Sequence, residues 1–228
     1  MNDGRPIPLA NGNARIIRAS LLPWARQIGI KCVIKKTDEE EYKRQRFALA
    51  RELAVWCRLN NPNILSLSGT IALGYSPNNY ISPSAVFDYY EHGDLTMFLR
   101  SKHQPDDLHR VRLLCEVAAG LSYLHSEGVV HGDIKAANVV IDPSLNAKIC
   151  DFGSAYIPEC SGCIAGSPGR FHSLKTQLYL SPELWMDEED DPPTTQESDV
   201  WALGCVLLEE SSDRHSTVQN RERSLWIA

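Results

Sequence analysis

The pattern of apolar and polar positions changes character near the middle of the chain. The run Ile30-Lys31-Cys32-Val33-Ile34-Lys35, bounded by Gly29 and Lys36, predicts a strand. Thr37-Asp38-Glu39-Glu40 has the form of a capping box and predicts a helix reaching about Leu59. Leu49, Leu53 and Trp56 fall on one face of it, and Asn60-Asn61-Pro62 stops it. Ile64–Ile71 and Ser84–Asp88 read as strands around a turn-rich segment at Ser76–Asn79. Beyond Gly93 the pattern is mainly helical. Asp94–Lys102 is a short helix, and Asp106 or Asp107 caps a long one running to Ser126. Its apolar positions are Leu108, Val111, Leu114, Val117, Leu121 and Leu124, and Gly128 ends it. Val200–Leu208 is apolar all round and predicts a helix buried in a core. Residues 154–180 carry Gly, Ser and Pro without a period and predict a long loop. The first thirty residues and the tail from Ser211 are poorly patterned.

One stretch, 131–153, concentrates the candidate chemistry. Val139–Ile141 and Ala147–Cys150 flank a turn at Asp142-Pro143-Ser144, which is a hairpin pattern. Folding these runs back on each other brings Asn138 and Asp151 to the same end. Two oxygen ligands there suit Mg²⁺, a hard cation that keeps waters and takes phosphate oxygens as further ligands. Asp133, on the loop just before, is placed to orient a hydroxyl, an arrangement that phosphoryl transfer needs.

Composition narrows the setting. The chain has 228 residues, 43% hydrophobic and 23% charged, the balance of a soluble globular protein with one large domain or two lobes. A formal charge of −6 argues against nucleic acid as a partner. No apolar run approaches the roughly 18 residues of a membrane helix. Seven scattered cysteines, an odd number, suit a reducing compartment, so the expected location is cytoplasmic, with the nucleus as the other intracellular choice. Cys160-Ser161-Gly162-Cys163 is a single C-x-x-C without a second pair, and the acidic run Asp187–Asp191 reads as a solvated loop.

The ordered motifs resemble those of a eukaryotic protein kinase, closest to the tyrosine-kinase-like branch of Ser/Thr kinases. Val33-Ile34-Lys35 is similar to the strand-lysine motif, and Glu52 to its helix partner. His131-Gly132-Asp133-Ile134-Lys135-Ala136-Ala137-Asn138 resembles the catalytic loop. Asp151-Phe152-Gly153 matches the metal-binding triplet. Ser181-Pro182-Glu183 stands for Ala-Pro-Glu, and Ser198-Asp199-Val200-Trp201 opens the buried helix. The resemblance covers roughly 30–209. It implies an α+β, bilobal fold, with the N-lobe at 30–87, a partial C-lobe at 88–209 and unpatterned ends at 1–29 and 210–228.

The resemblance also implies roles. Lys35 would neutralise ATP phosphates, held by Glu52. Asp133 would orient the acceptor hydroxyl of a protein serine or threonine, and Lys135 would steady the γ-phosphate. Asn138 and Asp151 would hold Mg²⁺. Phe87 would guard the pocket behind the adenine, and Asp88-Tyr89-Tyr90 would be the hinge that pairs with it. Val33 above and Val140 below would sandwich the base. Thr176 would hydrogen-bond Asp133 and Lys135. Phe152 would pack under the Glu52 helix near Trp56, His131 would pack and hydrogen-bond, and Asp199 would support the catalytic-loop backbone.

Three departures stand against the pattern. No G-x-G-x-x-G-x-V precedes the lysine strand, only Gly4, Gly12 and Gly29, which predicts weaker ATP binding. Gly132 replaces an arginine that many kinases use to sense a loop phosphate. The resemblance fades after Glu209, so Glu183 lacks its expected arginine and one face of the buried helix is expected to be exposed. An active Ser/Thr kinase is therefore the leading expectation. A pseudokinase scaffold and a truncated kinase fragment are the alternatives.

Overall fold

A computed structural model describes residues 14–21, 26–33, 38–73, 82–101, 105–158, 176–186 and 193–209. Two sheets organise them. The first is four-stranded and antiparallel, in the order β1 (Ala14–Leu21), β2 (Arg26–Val33), β4 (Ser82–Asp88), β3 (Leu67–Leu73). The strand β1 was not expected from the sequence. Its centre, Arg15-Ile16-Ile17-Arg18, pairs two apolar residues instead of alternating, so periodicity alone gives no strand signal. It pairs with β2 in the register Ile16↔Lys31 and Arg18↔Gly29.

Helix α1 (Glu39–Trp56) packs on this sheet. Its N-cap is Asp38, whose carboxylate accepts from the N–H groups of Glu40 and Glu41, with three glutamates in the first turn to complement the dipole. Leu49, Leu53 and Trp56 are buried on its inner face, as their spacing predicts. The Trp56 indole N–H is satisfied by Leu65 O.

The second part begins after Gly93. Helix α2 (Leu95–Leu99) is capped by Asp94, and α3 (Asp107–Ser126) by Asp106. The inward stripe of α3 is Leu113, Val117, Gly120, Leu121 and Leu124, while Leu108 is 80% exposed and Val111 also faces out. The first turn of α3 thus departs from the expected apolar face. Gly120 allows close approach, because a Cβ there would lie 2.8 Å from Asn63 O. The expected hairpin is present as β5 (Val139–Ile141) and β6 (Ala147–Ile149), and Asp142 ties its turn by accepting from Ser144 and Asn146 N–H. Two further helices follow, α4 (Pro182–Met186) and α5 (196–209).

The expectation of an all-round buried α5 needs correction. Ser198, Asp199, Ala202 and Val206 are buried, but Val200 and Leu208 are 57% and 68% exposed, and Trp201 is half exposed. Apolar composition gave no way to tell the inner face from the outer one. Antiparallel sheet with one helix, followed by a mainly helical part, is the α+β two-lobed arrangement. No helix among the described residues is long and apolar enough to cross a membrane. The described cysteines Cys32, Cys57, Cys115, Cys150 and Cys205 are all free thiols.

Candidate active site

The site is assembled where the sheet, α1 and the β5–β6 hairpin meet. Strand alternation puts Gly29, Lys31 and Val33 on the face of β2 that meets α1. Lys31 Nζ donates to Glu52 Oε1 at 2.7 Å and to Asp151 Oδ1 at 2.7 Å. The lysine and Glu52 are both buried. Burial works against the lysine charge, but Asp151 and Glu52 together outweigh it and hold Lys31 above the ordinary lysine range. The two carboxylates divide. Lys31 pulls Asp151 down to about 2, while burial pushes Glu52 above the usual carboxylate range. One ammonium between two acids stabilises the ionised form of the nearer-to-solvent one most.

The loop at 131–138 hangs from Asp199. Its carboxylate accepts from His131 N at 2.8 Å and Gly132 N at 2.9 Å, and His125 Nε2 lies 3.1 Å away. His131 is fully buried. Its Nδ1 accepts from Asp133 N at 3.2 Å, so its proton sits on Nε2 and goes to Cys150 O, also at 3.2 Å. His131 is a packing and hydrogen-bonding residue, as expected. Gly132 has φ +74°, and a Cβ there would lie 2.9 Å from Thr194 Oγ1 and 3.0 Å from Ser154 O. Glycine at this position is therefore demanded by conformation and by space.

Asp133 Oδ2 accepts from Lys135 Nζ at 2.6 Å and Asn138 Nδ2 at 3.0 Å, and the same amide nitrogen donates to Asp133 O at 2.8 Å. The other oxygen, Asp133 Oδ1, is buried without a protein partner. Hairpin register does the rest. Val139 faces Ile149, and Cys150 N donates to Asn138 O at 2.9 Å, so Asn138 and Asp151 emerge side by side. Asp151 takes φ 66°, a left-handed backbone uncommon for a non-glycine residue.

Aromatic rings link these parts. Phe87 and Trp56 have centroids 5.5 Å apart, Trp56 and Phe152 5.7 Å, and Phe152 and His131 5.5 Å. Trp56 is one helical turn beyond Glu52, and Phe152 follows Asp151. The column therefore fixes the neighbours of both acids that hold Lys31.

A strand lysine clamped by a helix glutamate, a loop Asp-x-Lys-x-x-Asn and an Asp-Phe-Gly after a hairpin are thus gathered into one cleft. Residues 17–225 match the family described as Protein kinase domain. The chain belongs to the protein kinase domain family. The kinase is similar to "Serine/threonine-protein kinase PLK4" of Nematostella vectensis, with 30% identity over 86% of this chain and 18% of that protein. It is also similar to "Serine/threonine-protein kinase CTR1" of Arabidopsis thaliana, with 29% identity over 79% of this chain and 21% of that protein. A third relative, "Probable CTD kinase subunit alpha homolog" of Encephalitozoon cuniculi, is 31% identical over 81% of this chain and 51% of its own length. The kinase therefore spans between about a fifth and a half of these relatives.

Two of the expected positions in this kinase shift. Lys31, not Lys35, is the lysine bound to Glu52; Lys35 lies outside the described residues. In the sequence both lysines follow an isoleucine and lie four residues apart, so a period of two does not choose between them. The shift carries Val33 with it. Val33 is buried in the core two residues past Lys31, away from the Asp88 end of the strand, so it is not positioned as a roof for a base. The residues of that face nearer Asp88 are Gly29 and, across from Lys31, Ile16; neither was anticipated. The signal that could have found them is the second apolar-x-apolar-lysine run, Ile28-Gly29-Ile30-Lys31.

The remaining expected residues are distributed as follows. Phe87 is buried at the end of β4. Asp88, Tyr89 and Tyr90 follow it, partly buried. Tyr89 N donates to Gln27 O at 3.1 Å, which makes Ile28↔Asp88 a non-hydrogen-bonded pair, and β3 has already ended opposite Phe87. The Asp88 N–H and C=O therefore point away from β2, on the side where the β3 register stops at Phe87. Arg26 pairs with Asp88 at 2.6 Å, and the Arg18 guanidinium stacks 4.8 Å over Tyr89 while pairing with Glu91. Burial, with Asp88 nearby, pushes the Tyr90 phenol up to about 12. Val140 is part-buried on β5, which is tied to Gly93 O through Ile141 N. Thr176 opens a short turn, Thr176–Tyr179, but its side chain lies outside the described residues. Cys160, Cys163 and the acidic run at 187–191 also lie outside them. Glu183 is exposed.

The donor set fits Mg²⁺. The Asn138 amide nitrogen is committed to Asp133, which leaves its oxygen as an acceptor, and Asp151 Oδ2 is not engaged by Lys31. Among the described residues no cluster of three or more His, Cys, Asp or Glu forms a metal cage. Two hard oxygens beside an open cleft suit an ion that draws its other ligands from phosphate and water.

Proposed function

We propose that this kinase domain transfers the γ-phosphoryl group of ATP to a serine or threonine hydroxyl of a protein. One observation carries the reading: Asp133 holds one carboxylate oxygen with Lys135 and Asn138 and leaves the other buried and unpaired. A buried acceptor without a partner is costly unless a ligand supplies the donor. A substrate hydroxyl is such a donor, and an oriented hydroxyl is what this chemistry asks of the protein. Lys135, beside that oxygen, supplies a positive charge where the transferring group would pass, as in the Ser/Thr pattern. Lys31 would meet the nucleotide phosphates, with Glu52 fixing its position.

The base would lie under Ile16 and Gly29 and over Val140. It would take the Asp88 carbonyl and Tyr90 N–H at the hinge, with Phe87 closing the back. Asn138 and Asp151 would hold Mg²⁺. When bound, the ion spreads the charge of the transferring phosphoryl. The names of similar proteins, among them two serine/threonine-protein kinases, support the choice of hydroxyl.

The experiment compares melting of the protein with and without millimolar Mg²⁺-ATP, then phosphate transfer to a mixed Ser/Thr peptide library by wild type and Asp133→Asn. A ligand bound by the native state alone must raise the midpoint. A raised midpoint with transfer lost in the variant is the expected result. A raised midpoint with no transfer by the wild type would favour a nucleotide-binding scaffold instead.

A further inference from the structure

Stretches far apart in the sequence close around Gly132. Val130 N donates to Tyr156 O at 2.9 Å, and Tyr156 N donates back to Val130 O at 3.0 Å. The Tyr156 side chain then reaches the segment ahead of α5, where its O–H donates to Thr194 O. Thr194 lies against the bare Cα of Gly132, since a Cβ there would come within 2.9 Å of Thr194 Oγ1. From Thr194 the chain enters the cap of α5, in which Thr195 N donates to Ser198 Oγ at 2.9 Å and Ser198 N to Thr195 Oγ1 at 3.2 Å. Asp199, the next residue, accepts from His131 and Gly132 N–H. The contacts form a closed circuit that leaves the loop at Val130 and returns to it at Gly132, the neighbour of Asp133. Its one link from a side chain to a distant backbone carbonyl is the Tyr156 hydroxyl. Tyr156 is buried, and a phenol withdrawn from water needs an acceptor, which Thr194 O supplies. Thr194 Oγ1 is itself buried with no hydrogen-bond partner among the described residues, so the side chain contributes bulk and not a bond. Gly132, Asp133 and Thr194 line one small cavity, which puts the circuit beside the carboxylate.

We propose that Tyr156 and Thr194 are positioning residues for the reaction: the phenol pins the Thr194 segment onto Gly132, and through Gly132 it fixes the direction of the Asp133 carboxylate. The inference rests on the function proposed above, in which Asp133 orients the acceptor hydroxyl. Losing the Tyr156 hydroxyl orphans the Thr194 carbonyl and opens the circuit at its side-chain link. Losing the Thr194 side chain keeps that link and withdraws the wall against Gly132. Both changes loosen the same carboxylate, so their defects overlap instead of adding. Neither alters the contacts of Lys31 with Glu52 and Asp151, so nucleotide affinity lies outside their reach.

The test uses wild type, Tyr156→Phe, Thr194→Gly, their double variant and Thr194→Val. Each is measured for melting midpoint, for Mg²⁺-ATP Kd, and for amide hydrogen exchange at His131 and Gly132. The kcat for peptide phosphorylation is read well below the lowest midpoint. Tyr156→Phe and Thr194→Gly each lower kcat by about 10–100-fold, the scale of a displaced reacting group. Their Kd stays within about twofold of wild type. Exchange at His131 and Gly132 quickens in both. The double variant loses no more kcat than the worse single variant. Thr194→Val refills the wall without the hydroxyl and recovers kcat to within about threefold of wild type. Wild-type kcat in Tyr156→Phe, a rise in Kd as large as the fall in kcat, or losses that multiply in the double variant overturn the proposal. A lowered midpoint with wild-type kcat and exchange would mean that Tyr156 packs without positioning, and overturns it as well. If Tyr156→Phe does not fold, the two Thr194 variants decide: a loss in Thr194→Gly that Thr194→Val restores supports the clasp, and any other result overturns it. No transfer by the wild type would overturn the functional reading and the positioning role together, while exchange at His131 and Gly132 would still report the closed circuit.

Discussion

Lys31 reaches Glu52 at 2.7 Å between β2 and α1, and both groups are almost wholly withdrawn from water. The pair joins a strand and a helix that are otherwise held by apolar contact. Removing the lysine leaves Glu52 and Asp151 without their shared cation. Breaking a buried pair in this way costs about 3–5 kcal/mol, which lowers the melting midpoint of a domain this size by roughly 6–20 °C. Lys31→Met is expected to show that loss and to abolish the Mg²⁺-ATP melting shift. Lys35→Met should stay within about 2 °C of wild type and keep the shift. Loss of the shift in Lys35→Met alone would return the role to Lys35.

The same cluster predicts a pH dependence. Lys31 holds Asp151 at about 2, below the ordinary 3.8, so its ionised form stabilises the fold. That contribution is complete above the ordinary carboxylate range and is lost as pH falls from about 4 to about 2. Glu52 has the opposite sign. Its raised pKa makes protonation favourable to the fold as pH falls, which offsets part of the loss. Asp151→Asn removes the first contribution and keeps the second. Between pH 4 and pH 2 the variant should lose about 2 kcal/mol less unfolding free energy than wild type, read by denaturant titration at each pH. Parallel profiles would show that Lys31 does not depress Asp151.

Asp199 supports the loop that carries Asp133, and this support can be separated from the proposed chemistry. Asp199→Ala orphans the N–H groups of His131 and Gly132 and is expected to cost about 3–5 kcal/mol of stability. Asp133→Asn keeps an amide oxygen for Lys135 in place of a charge, so it should cost less stability than Asp199→Ala while cutting phosphate transfer by about 10²–10⁴, the usual worth of a positioned acid or base. Matching stability losses in the two variants would contradict this division of labour.

Gly132 offers a fourth check. Its φ of +74° and the closeness of Thr194 Oγ1 and Ser154 O leave no room for a side chain. Gly132→Ala should destabilise by about 2–5 kcal/mol, from left-handed strain and overpacking together. Calorimetry showing a variant as stable as wild type would mean that the Thr194 segment yields readily.

Contiguous motifs were the most legible part of the site. Asp133, Asn138 and Asp151 were readable because a hairpin only three residues deep fixes their geometry locally. Phe152 beside Trp56 and Asp199 beneath the loop were readable through the resemblance to kinases. The lysine was misplaced by four residues because strand parity is blind to a shift of four, and what marks Lys31 is its contact with Glu52, 21 residues further along the chain. Strand β1 left no periodic trace because its adjacent isoleucines face opposite sides of an edge strand. An exposed face on α5 was expected from the fading of the resemblance after Glu209, but composition records how apolar a helix is and not which side is covered, so Val200, Trp201 and Leu208 could not be singled out as that face.

The shared ammonium has a consequence for how a ligand enters. Asp151 Oδ1 is already engaged by Lys31 Nζ at 2.7 Å. A divalent ion held through the other oxygen, Oδ2, would leave this pair in place, so ion and ammonium would share one carboxylate. The lysine, tethered to Glu52, would stay beside where nucleotide phosphates would lie. Part of the positive charge those phosphates would meet is thus in position before any metal arrives.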